Sequence, residues 1–190
     1  WPSPRMKKLY RFFVEIGADA VVNHHQHCYS GYEFYNGKPI VYGLGNFCFQ
    51  YNDRYDTIWN EGYLVVVDLN DTKIQINQYP YIQCSKEPSV NLMTGVRKMN
   101  FHQKVEELNA VIADDTQLQK SFEGWIDRNK TFVTSLFSSW HSRYLNAAAN
   151  RGWIPYLTSR KEYSAMVNRI CCEAHRDITI AVLNEKMNVK

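Results

Sequence analysis

Three of the chain's six histidines lie close together in the segment Asn23-His24-His25-Gln26-His27. If the backbone is extended there, His25 and His27 project to one side, whereas in a helical turn His24 and His27 share a face. The hydrophobic residues before the segment favour the extended alternative. Two neutral imidazoles at a strand end provide half of a site for a divalent transition metal. A catalytic centre needs at least one more protein ligand and an open position for water.

The same segment also has a purely structural interpretation. Histidines in a loop can hydrogen-bond to neighbouring polar groups and bind nothing, and an isolated His-x-His pair favours this alternative. The position of three histidines at the end of a buried strand brings the two interpretations close to balance. The segment therefore predicts a candidate site and leaves its role in metal binding open.

Two short buried strands are expected to position this site. Residues 20–22 lead into the histidines, and residues 39–42 lead into the segment Gly43-Leu44-Gly45-Asn46-Phe47. Asn36-Gly37, between them, predicts a tight turn. Both strands therefore end in polar or glycine-rich loops, where functional side chains commonly lie.

A helix is predicted before the first strand. Ser3 is a typical N-cap, and Pro4 suits the first helical position. Apolar residues follow at helical spacing until Gly17 ends the helix: Met6, Leu9, Phe13 and Ile16. The order of helix, turn, buried strand and loop predicts an α/β protein whose strands are covered by helices.

The remainder of the chain changes character near residue 96. Residues 63–69 and 74–82 predict two strands of an antiparallel hairpin, with a turn at Asn70-Asp71. From about residue 96 to residue 188 the apolar residues recur at helical spacing. We therefore divide the chain into an α/β part, residues 1–93, and a helical region of unknown role, residues 96–190.

The α/β part resembles the bacterial capsule-synthesis family of the CapA type, which is associated with poly-gamma-glutamate. The resemblance covers about residues 1 to 82 and rests on an ordered run of motifs. These are Gly17-Ala18-Asp19-Ala20-Val21-Val22, His25-Gln26-His27, Tyr32-Glu33-Phe34-Tyr35-Asn36-Gly37-Lys38-Pro39-Ile40 and Gly43-Leu44-Gly45-Asn46-Phe47. The resemblance implies a metallophosphoesterase-like fold, an α-β-β-α sandwich of which residues 1–93 form the C-terminal part.

The resemblance also implies roles for four residues. His25 and His27 match the late histidine motif, which implies that they are catalytic residues and metal ligands. Asn46 and Glu33 match positions expected to contact substrate, although Asn46 could equally cap or brace its loop, and Glu33 could bond to a neighbouring loop or be only solvated. The implied cofactor is a divalent metal ion: manganese, zinc or iron.

Three positions depart from the family pattern. Asn23 replaces the usual glycine, Gln26 replaces the proline between the histidines, and Ser30 replaces a common glutamine. The family's first metal ligands, an Asp-x-His and a later Asp and Asn-His, are expected ahead of Trp1. We therefore expect that this chain is a piece of a longer protein and that alone it binds metal weakly or not at all.

Two functions follow as expectations. The first is a component of capsule or surface-polymer biosynthesis, acting on poly-gamma-glutamate or polysaccharide, with a metal-dependent hydrolase-like core. Its substrate would be an anionic polymer or a phosphoester, and its partner a membrane synthase complex. The second is a non-catalytic polymer-binding or assembly module that keeps the fold without the full metal site.

Composition and the N-terminal residues bear on the kind of partner and on the cellular compartment. The net charge of +3 is too small to predict a nucleic-acid partner. The start, Trp1-Pro2-Ser3-Pro4, resembles neither a signal peptide nor an initiator methionine. The resemblance suggests the cell envelope, whereas five cysteines without regular spacing suggest thiols in a reducing compartment such as the cytoplasm.

Overall fold

The computed structural model describes residues 1–49, 57–69, 74–84, 87–136, 140, 142–155 and 157–171. The described residues form a mixed α/β protein with five helices and two three-stranded sheets, which confirms the predicted class. The chain divides into two compact units, Trp1–Trp125 and Ile126–Lys190. The division into functional domains at residues 93–96 stays a prediction.

Helix α1 spans Pro4–Glu15, as predicted. The hydroxyl of Ser3 accepts a hydrogen bond from the N–H of Met6 at 3.1 Å, and Gly17 follows with φ of +114°. The buried side of α1 carries Lys7 and Val14. Its apolar stripe is largely exposed, with Ile16 at 66% exposure. Helical spacing alone therefore located the helix without identifying the side that packs.

The first sheet contains β1 (Val21–Val22), β2 (Tyr32–Tyr35) and β3 (Lys38–Val41) in the order β1-β3-β2. Strand β1 runs parallel to β3, and β2 pairs with β3 as an antiparallel hairpin. The hairpin turn is Asn36-Gly37, with φ of 49° and 74°. This confirms the predicted turn, because paired positive φ values give the twist that a two-residue hairpin needs.

The second sheet is antiparallel and contains β4 (Glu61–Leu69), β5 (Ile74–Gln83) and β6 (Val90–Leu92) in chain order. The predicted hairpin of β4 and β5 is confirmed, while its turn at residues 70–71 lies outside the described residues. A 3-10 turn, Ile58–Asn60, precedes β4. The two sheets meet where the N–H of Tyr63 donates to the carbonyl of Leu44 at 3.0 Å.

Four further helices follow the sheets: α2 (Gly95–Ala113), α3 (Asp115–Leu136), α4 (Arg143–Asn150) and α5 (Arg160–Cys171). The N–H and the hydroxyl of Ser159 both donate to Glu162, at 2.6 and 2.8 Å, just before and within the first turn of the last of these helices. The predicted helical stretch beyond residue 171 lies outside the described residues. Within the part of the chain that is described, no helix has the length and apolar character needed to cross a membrane.

Two clusters of buried side chains hold the first unit together. Val41 of β3 packs with Tyr29, Tyr63 and Phe101 on one side of the first sheet. Its neighbours Ile40 and Tyr42 pack with Val14 and Ile112 in the other cluster. Alternating side chains of β3 therefore enter different clusters, because successive residues of a strand point to opposite faces.

Candidate functional site

The histidine segment leaves β1 through a fixed turn at Asn23. The N–H of Asn23 donates to the carbonyl of Val41 at 2.9 Å, and its Nδ2 donates to the carbonyl of Tyr42 at 3.0 Å. Its Oδ1 accepts from the N–H of His25 at 2.9 Å. A side chain that accepts from the backbone two residues on forms an Asx turn. Asn23, one of the departures from the family pattern, therefore has a structural role here.

The glycine-rich loop is held against the start of β4. Gly45 has φ of +85°, and a Cβ added there would lie 2.7 Å from the carbonyl oxygen of Glu61. A Cβ added at Gly62 would lie 2.8 Å from the carbonyl oxygen of Leu44. Only glycine fits such a close approach of two backbones at no steric cost. This contact places Asn46, the next residue of the loop, at the junction of the two sheets.

Asn46 and His27 meet at this junction. Nδ1 of His27 lies 2.9 Å from Oδ1 of Asn46, although the two residues are 19 positions apart. Asn46 is buried, its Nδ2 donates to the carbonyl of Trp59 at 3.1 Å, and its own carbonyl accepts from the hydroxyl of Tyr81 at 2.9 Å. The structure therefore brings together two of the four predicted site residues.

The hydrogen bonds of Asn46 fix the tautomer of His27. Because Nδ2 of Asn46 must donate to the Trp59 carbonyl, its Oδ1 faces His27 and can only accept. Nδ1 of His27 must then carry the proton. In the neutral ring this leaves the lone pair on Nε2, which is the form of imidazole that binds a metal ion or takes up a proton.

Two aromatic rings flank the His27 imidazole. The ring of Trp59 is stacked on it, with centroids 4.9 Å apart and planes at 22°. The ring of Phe49 lies 5.5 Å away at 56°, and Phe49 meets Trp59 nearly edge to face at 5.9 Å. The side chain of His27 is exposed in spite of these contacts. Its orientation is therefore set by stacking and one hydrogen bond, while the ring stays accessible to a ligand.

Buried amides of Asn60 and Gln83 hold the aromatic segment in place. Gln83 accepts from the N–H of Phe49 at 2.7 Å and donates to the carbonyl of Trp59 at 3.2 Å. Asn60 donates to the carbonyls of Gln83 and Cys84 at 3.1 and 3.2 Å. This network was not predicted from the sequence. Gln83 carries no local signal of this role, because it follows Gln75 and Asn77 on the polar face of β5.

The other two predicted residues lie in different surroundings. His25 is exposed, and its backbone N–H bonds to Asn23. Glu33 of β2 accepts from both Nε and Nη2 of Arg11, at 2.9 and 2.6 Å, and from the hydroxyl of Tyr42 at 2.5 Å. The structure thus gives Glu33 a bidentate partner on α1. Its predicted role in substrate contact stays a prediction, as does the metal-binding role of His25.

The surroundings of Glu33 set its charge state. Burial alone would raise the pKa of this carboxyl, but the hydrogen bonds from Arg11 and Tyr42, together with the charge of Arg11, outweigh it and lower the pKa below 4.5. The same contacts act in the opposite direction on Tyr42, whose pKa is raised by burial first and by the Glu33 carboxylate second. Glu33 is therefore ionised and Tyr42 neutral at physiological pH.

A complete metal site would need donors beyond this loop. Across the described ranges, no group of three or more His, Cys, Asp or Glu side chains is arranged to hold a metal ion. The chemistry of His27 does suit a transition metal, since a ligating imidazole usually donates its other ring N–H to an oxygen. The residues present therefore fit as a partial ligand set.

Comparisons with known proteins match the part of the chain that contains the histidine segment. A family model described as "Bacterial capsule synthesis protein PGA_cap" matches residues 1–51. The chain is 46% identical over 48 residues to PGA biosynthesis protein CapA of Bacillus subtilis (strain 168), a match that covers 25% of this chain and 13% of that protein. It is 44% identical over 48 residues to capsule biosynthesis protein CapA of Bacillus anthracis, covering 25% of this chain and 12% of that protein.

The matched part of the chain contains all four predicted site residues: His25, His27, Glu33 and Asn46. The match spans only about an eighth of the length of either relative. The family model covers α1, the first sheet, the histidine segment and the glycine-rich loop as one continuous stretch. Residues 1–51, and with them the candidate site, are therefore similar to the CapA-type bacterial capsule synthesis proteins.

Proposed function

We propose that this chain is part of a protein of capsule or surface-polymer biosynthesis with a metal-dependent hydrolase-like core. In this proposal residues 1–93 are the C-terminal part of a metallophosphoesterase-type sandwich. The family match over residues 1–51 supports the biological setting. The chemistry rests on one observation, the hydrogen bond between Nδ1 of His27 and Oδ1 of Asn46.

That hydrogen bond gives His27 a defined role. With Nδ1–H held by Asn46, the Nε2 lone pair is directed away from the protein network and is available as a ligand or as a proton acceptor. His25, two residues earlier, would supply a second imidazole. A bound divalent ion would act as a Lewis acid toward a phosphoester oxygen. The chain's own contribution is to orient the His27 imidazole and to cover one face of that ring with Trp59.

The proposed substrate is an anionic polymer or a phosphoester. The names of the two relatives connect the family with PGA and capsule biosynthesis, which supports poly-gamma-glutamate or a capsular polysaccharide as the polymer. The proposed setting is the cell envelope, with a membrane synthase complex as the partner. Within this proposal, Asn46 has a positioning role through His27 in addition to the predicted contact with substrate.

The second candidate is a polymer-binding or assembly module without catalysis. Exposed rings after the glycine-rich loop favour it, since Phe47 is 49% exposed and Phe49, which contacts His27, is 47% exposed. Exposed aromatic faces stack on sugar rings or peptide groups and contribute strongly to binding. The first candidate makes His27 essential for hydrolysis, whereas the second makes Phe49 essential for polymer binding.

The test compares hydrolysis of a generic phosphodiester with added manganese in the longest form of the protein that can be expressed. We expect His27→Ala to lower the rate by about 100-fold or more and Asn46→Ala by about 10- to 100-fold, because loss of an outer-shell partner typically costs that much. His24→Ala, in the same loop, is the matched control and should retain the wild-type rate.

A binding measurement separates the two candidates. If no variant or wild-type protein shows manganese-stimulated hydrolysis, while Phe49→Ala abolishes polymer binding and His27→Ala does not, the enzyme proposal is wrong and the binding module is supported. If hydrolysis occurs but is insensitive to His27→Ala, the assigned role of His27 is wrong.

A further inference from the structure

Two cysteine thiols face each other beside the candidate site. Sγ of Cys84 lies 4.0 Å from Sγ of Cys48, and the residues are 36 positions apart. Cys48 is exposed and lies two residues after Asn46, whereas Cys84 is buried directly after β5. The pair therefore joins the glycine-rich loop to the end of the second sheet.

The backbone around both thiols is fixed by hydrogen bonds. The N–H of Cys84 donates to the carbonyl of Ser89 at 2.8 Å, and its carbonyl accepts from Asn60 at 3.2 Å. The N–H of Phe49, next to Cys48, donates to Gln83, next to Cys84, at 2.7 Å. This last bond ties the two segments directly together. The short distance between the thiols is thus a consequence of the fold.

Both cysteines adopt a left-handed backbone conformation, with φ of 52° at Cys48 and 43° at Cys84. Residues with a Cβ adopt it infrequently, and it usually persists only where surrounding contacts enforce it. Here the two residues that adopt it are the two whose thiols lie 4.0 Å apart. The S–S bond of a cystine is about 2.05 Å long. The sulfurs must therefore approach by about 2 Å, a distance that rotation of the exposed Cys48 side chain can largely supply.

We propose that Cys48 and Cys84 are an oxidation site at which a cystine cross-links the glycine-rich loop to the end of β5. This site is distinct from the imidazole chemistry of the proposed function. Its existence can be measured without any assay of activity. Oxidation would restrict the loop that carries Asn46, and reduction would release it.

A disulfide compound such as oxidised glutathione supplies the oxidising equivalents. The exposed Cys48 thiol loses its proton to solvent, and the thiolate attacks one sulfur of the oxidant, which releases one glutathione thiolate and leaves a mixed disulfide. Cys84 then loses its proton and attacks the sulfur of Cys48, which expels the second glutathione thiolate. Two protein thiols are oxidised to one cystine, and one oxidant molecule is reduced to two thiols.

The order of attack follows from the surroundings of Cys84. Burial first, and the contact with Cys48 second, raise the pKa of the Cys84 thiol. The buried thiol is therefore mostly protonated at neutral pH and inaccessible to a bulky oxidant. Cys48 is thus the attacking residue and Cys84 the resolving residue, and closure should accelerate as the pH rises.

The experiment equilibrates the chain in glutathione buffers of increasing oxidation, alkylates the remaining thiols and maps the peptides by mass spectrometry. We expect a peptide pair linked through Cys48 and Cys84, with a loss of two hydrogens, and a higher thermal midpoint in the oxidised protein. Cys28→Ser is the matched control, because Cys28 is another exposed cysteine of the same unit. The linked pair should form equally in this variant.

A second variant tests whether Cys84 is the residue that resolves the mixed disulfide. In Cys84→Ser, oxidation should stop at a glutathione adduct on Cys48. The proposal is overturned if wild-type Cys48 also stops at the adduct, if Cys48 links to Cys28 instead, or if both thiols remain alkylated under oxidising conditions. Failure of the phosphodiester assay leaves this result unaffected, so the two proposals fail separately.

Discussion

The ring of His27 is held by two residues from different parts of the chain. It hydrogen-bonds to Asn46 of the glycine-rich loop and stacks on Trp59 of the 3-10 turn before β4. Each contact restrains a different degree of freedom, since stacking sets the ring plane and the hydrogen bond sets the rotation within it. The result is an exposed imidazole with a fixed tautomer. This is the arrangement that a metal ligand or general base requires.

The sequence predicted His27 and Asn46 as site residues but could not predict that they touch. The His-x-His spacing and the Leu-Gly-Asn-Phe motif each identify a loop, and the parallel pairing of β1 with β3 brings the loops to one sheet edge. Trp59 and Gln83 could not be found in this way. Their roles depend on the junction with a second sheet, which no local pattern encodes.

Glu33 provides a prediction at the residue scale. Its pKa is lowered in the folded protein, so its ion pair stabilises the fold fully above the ordinary pKa of 4.5 and loses this effect as the pH falls through the folded value. Glu33→Gln should therefore lower the free energy of unfolding by about 1 to 2 kcal/mol at neutral pH. The difference from wild type should shrink between about pH 5 and pH 3.

Urea denaturation at several pH values measures this difference. Glu87→Gln, an exposed carboxyl in the same unit, is the control and should change stability little at any pH. A deficit of Glu33→Gln that is constant down to acid pH would show that the carboxylate charge does not contribute.

At the scale of elements, one lysine joins three helices. Lys7 of α1 is 2% exposed, and its Nζ donates to the carbonyl of Ile112 near the end of α2 and to Asp115 in the first turn of α3 at 2.7 Å. The carbonyl at a helix C-terminus has no partner within the helix, so an ammonium group there satisfies it and interacts favourably with the helix dipole. The buried lysine thus links α1 to the point where α2 ends and α3 begins.

Lys7→Met tests this contact. The substitution keeps the approximate length of the side chain and leaves the buried carbonyl of Ile112 without its donor, so we expect a loss of about 2 kcal/mol in the free energy of unfolding. Lys8→Met, one position along the same helix and exposed, should change it by less than about 0.5 kcal/mol. A Lys7→Met protein as stable as wild type would mean that desolvation of the ammonium cancels its bonds.

The elements themselves were largely predictable. The cap at Ser3, the Asn36-Gly37 turn and the alternation in β5 are local signals, and each gave the observed element. The buried side of α1 was not predictable from spacing, because Lys7 is buried through bonds to residues more than a hundred positions away. Contacts between residues far apart in the chain, polar for Lys7 and Gln83 and aromatic for Trp59, are what prediction from the sequence missed.

At the scale of the whole molecule, the proposed function assigns only part of a metal site to this chain. Two imidazoles are half of the four donors that a structural transition-metal site commonly uses. We therefore predict that titration of this chain with Zn²⁺ or Mn²⁺ in a calorimeter shows weak binding without a defined stoichiometry. A tight signal of one metal per chain, lost in His27→Ala, would show that the residues of this chain complete a site by themselves.

The contact between Gly45 and Gly62 limits how the site can diversify. Neither position can accept a side chain, because each backbone occupies the space that the other's Cβ would need. A new ligand specificity therefore cannot arise from a side chain introduced at either of these two glycines. It has to come from the exposed rings and side chains on either side, Phe47, Phe49 and Ile58, whose replacement leaves both backbones undisturbed. The site thus has a part that cannot vary, the two glycines where the backbones cross, and exposed side chains around it that can vary and select the ligand.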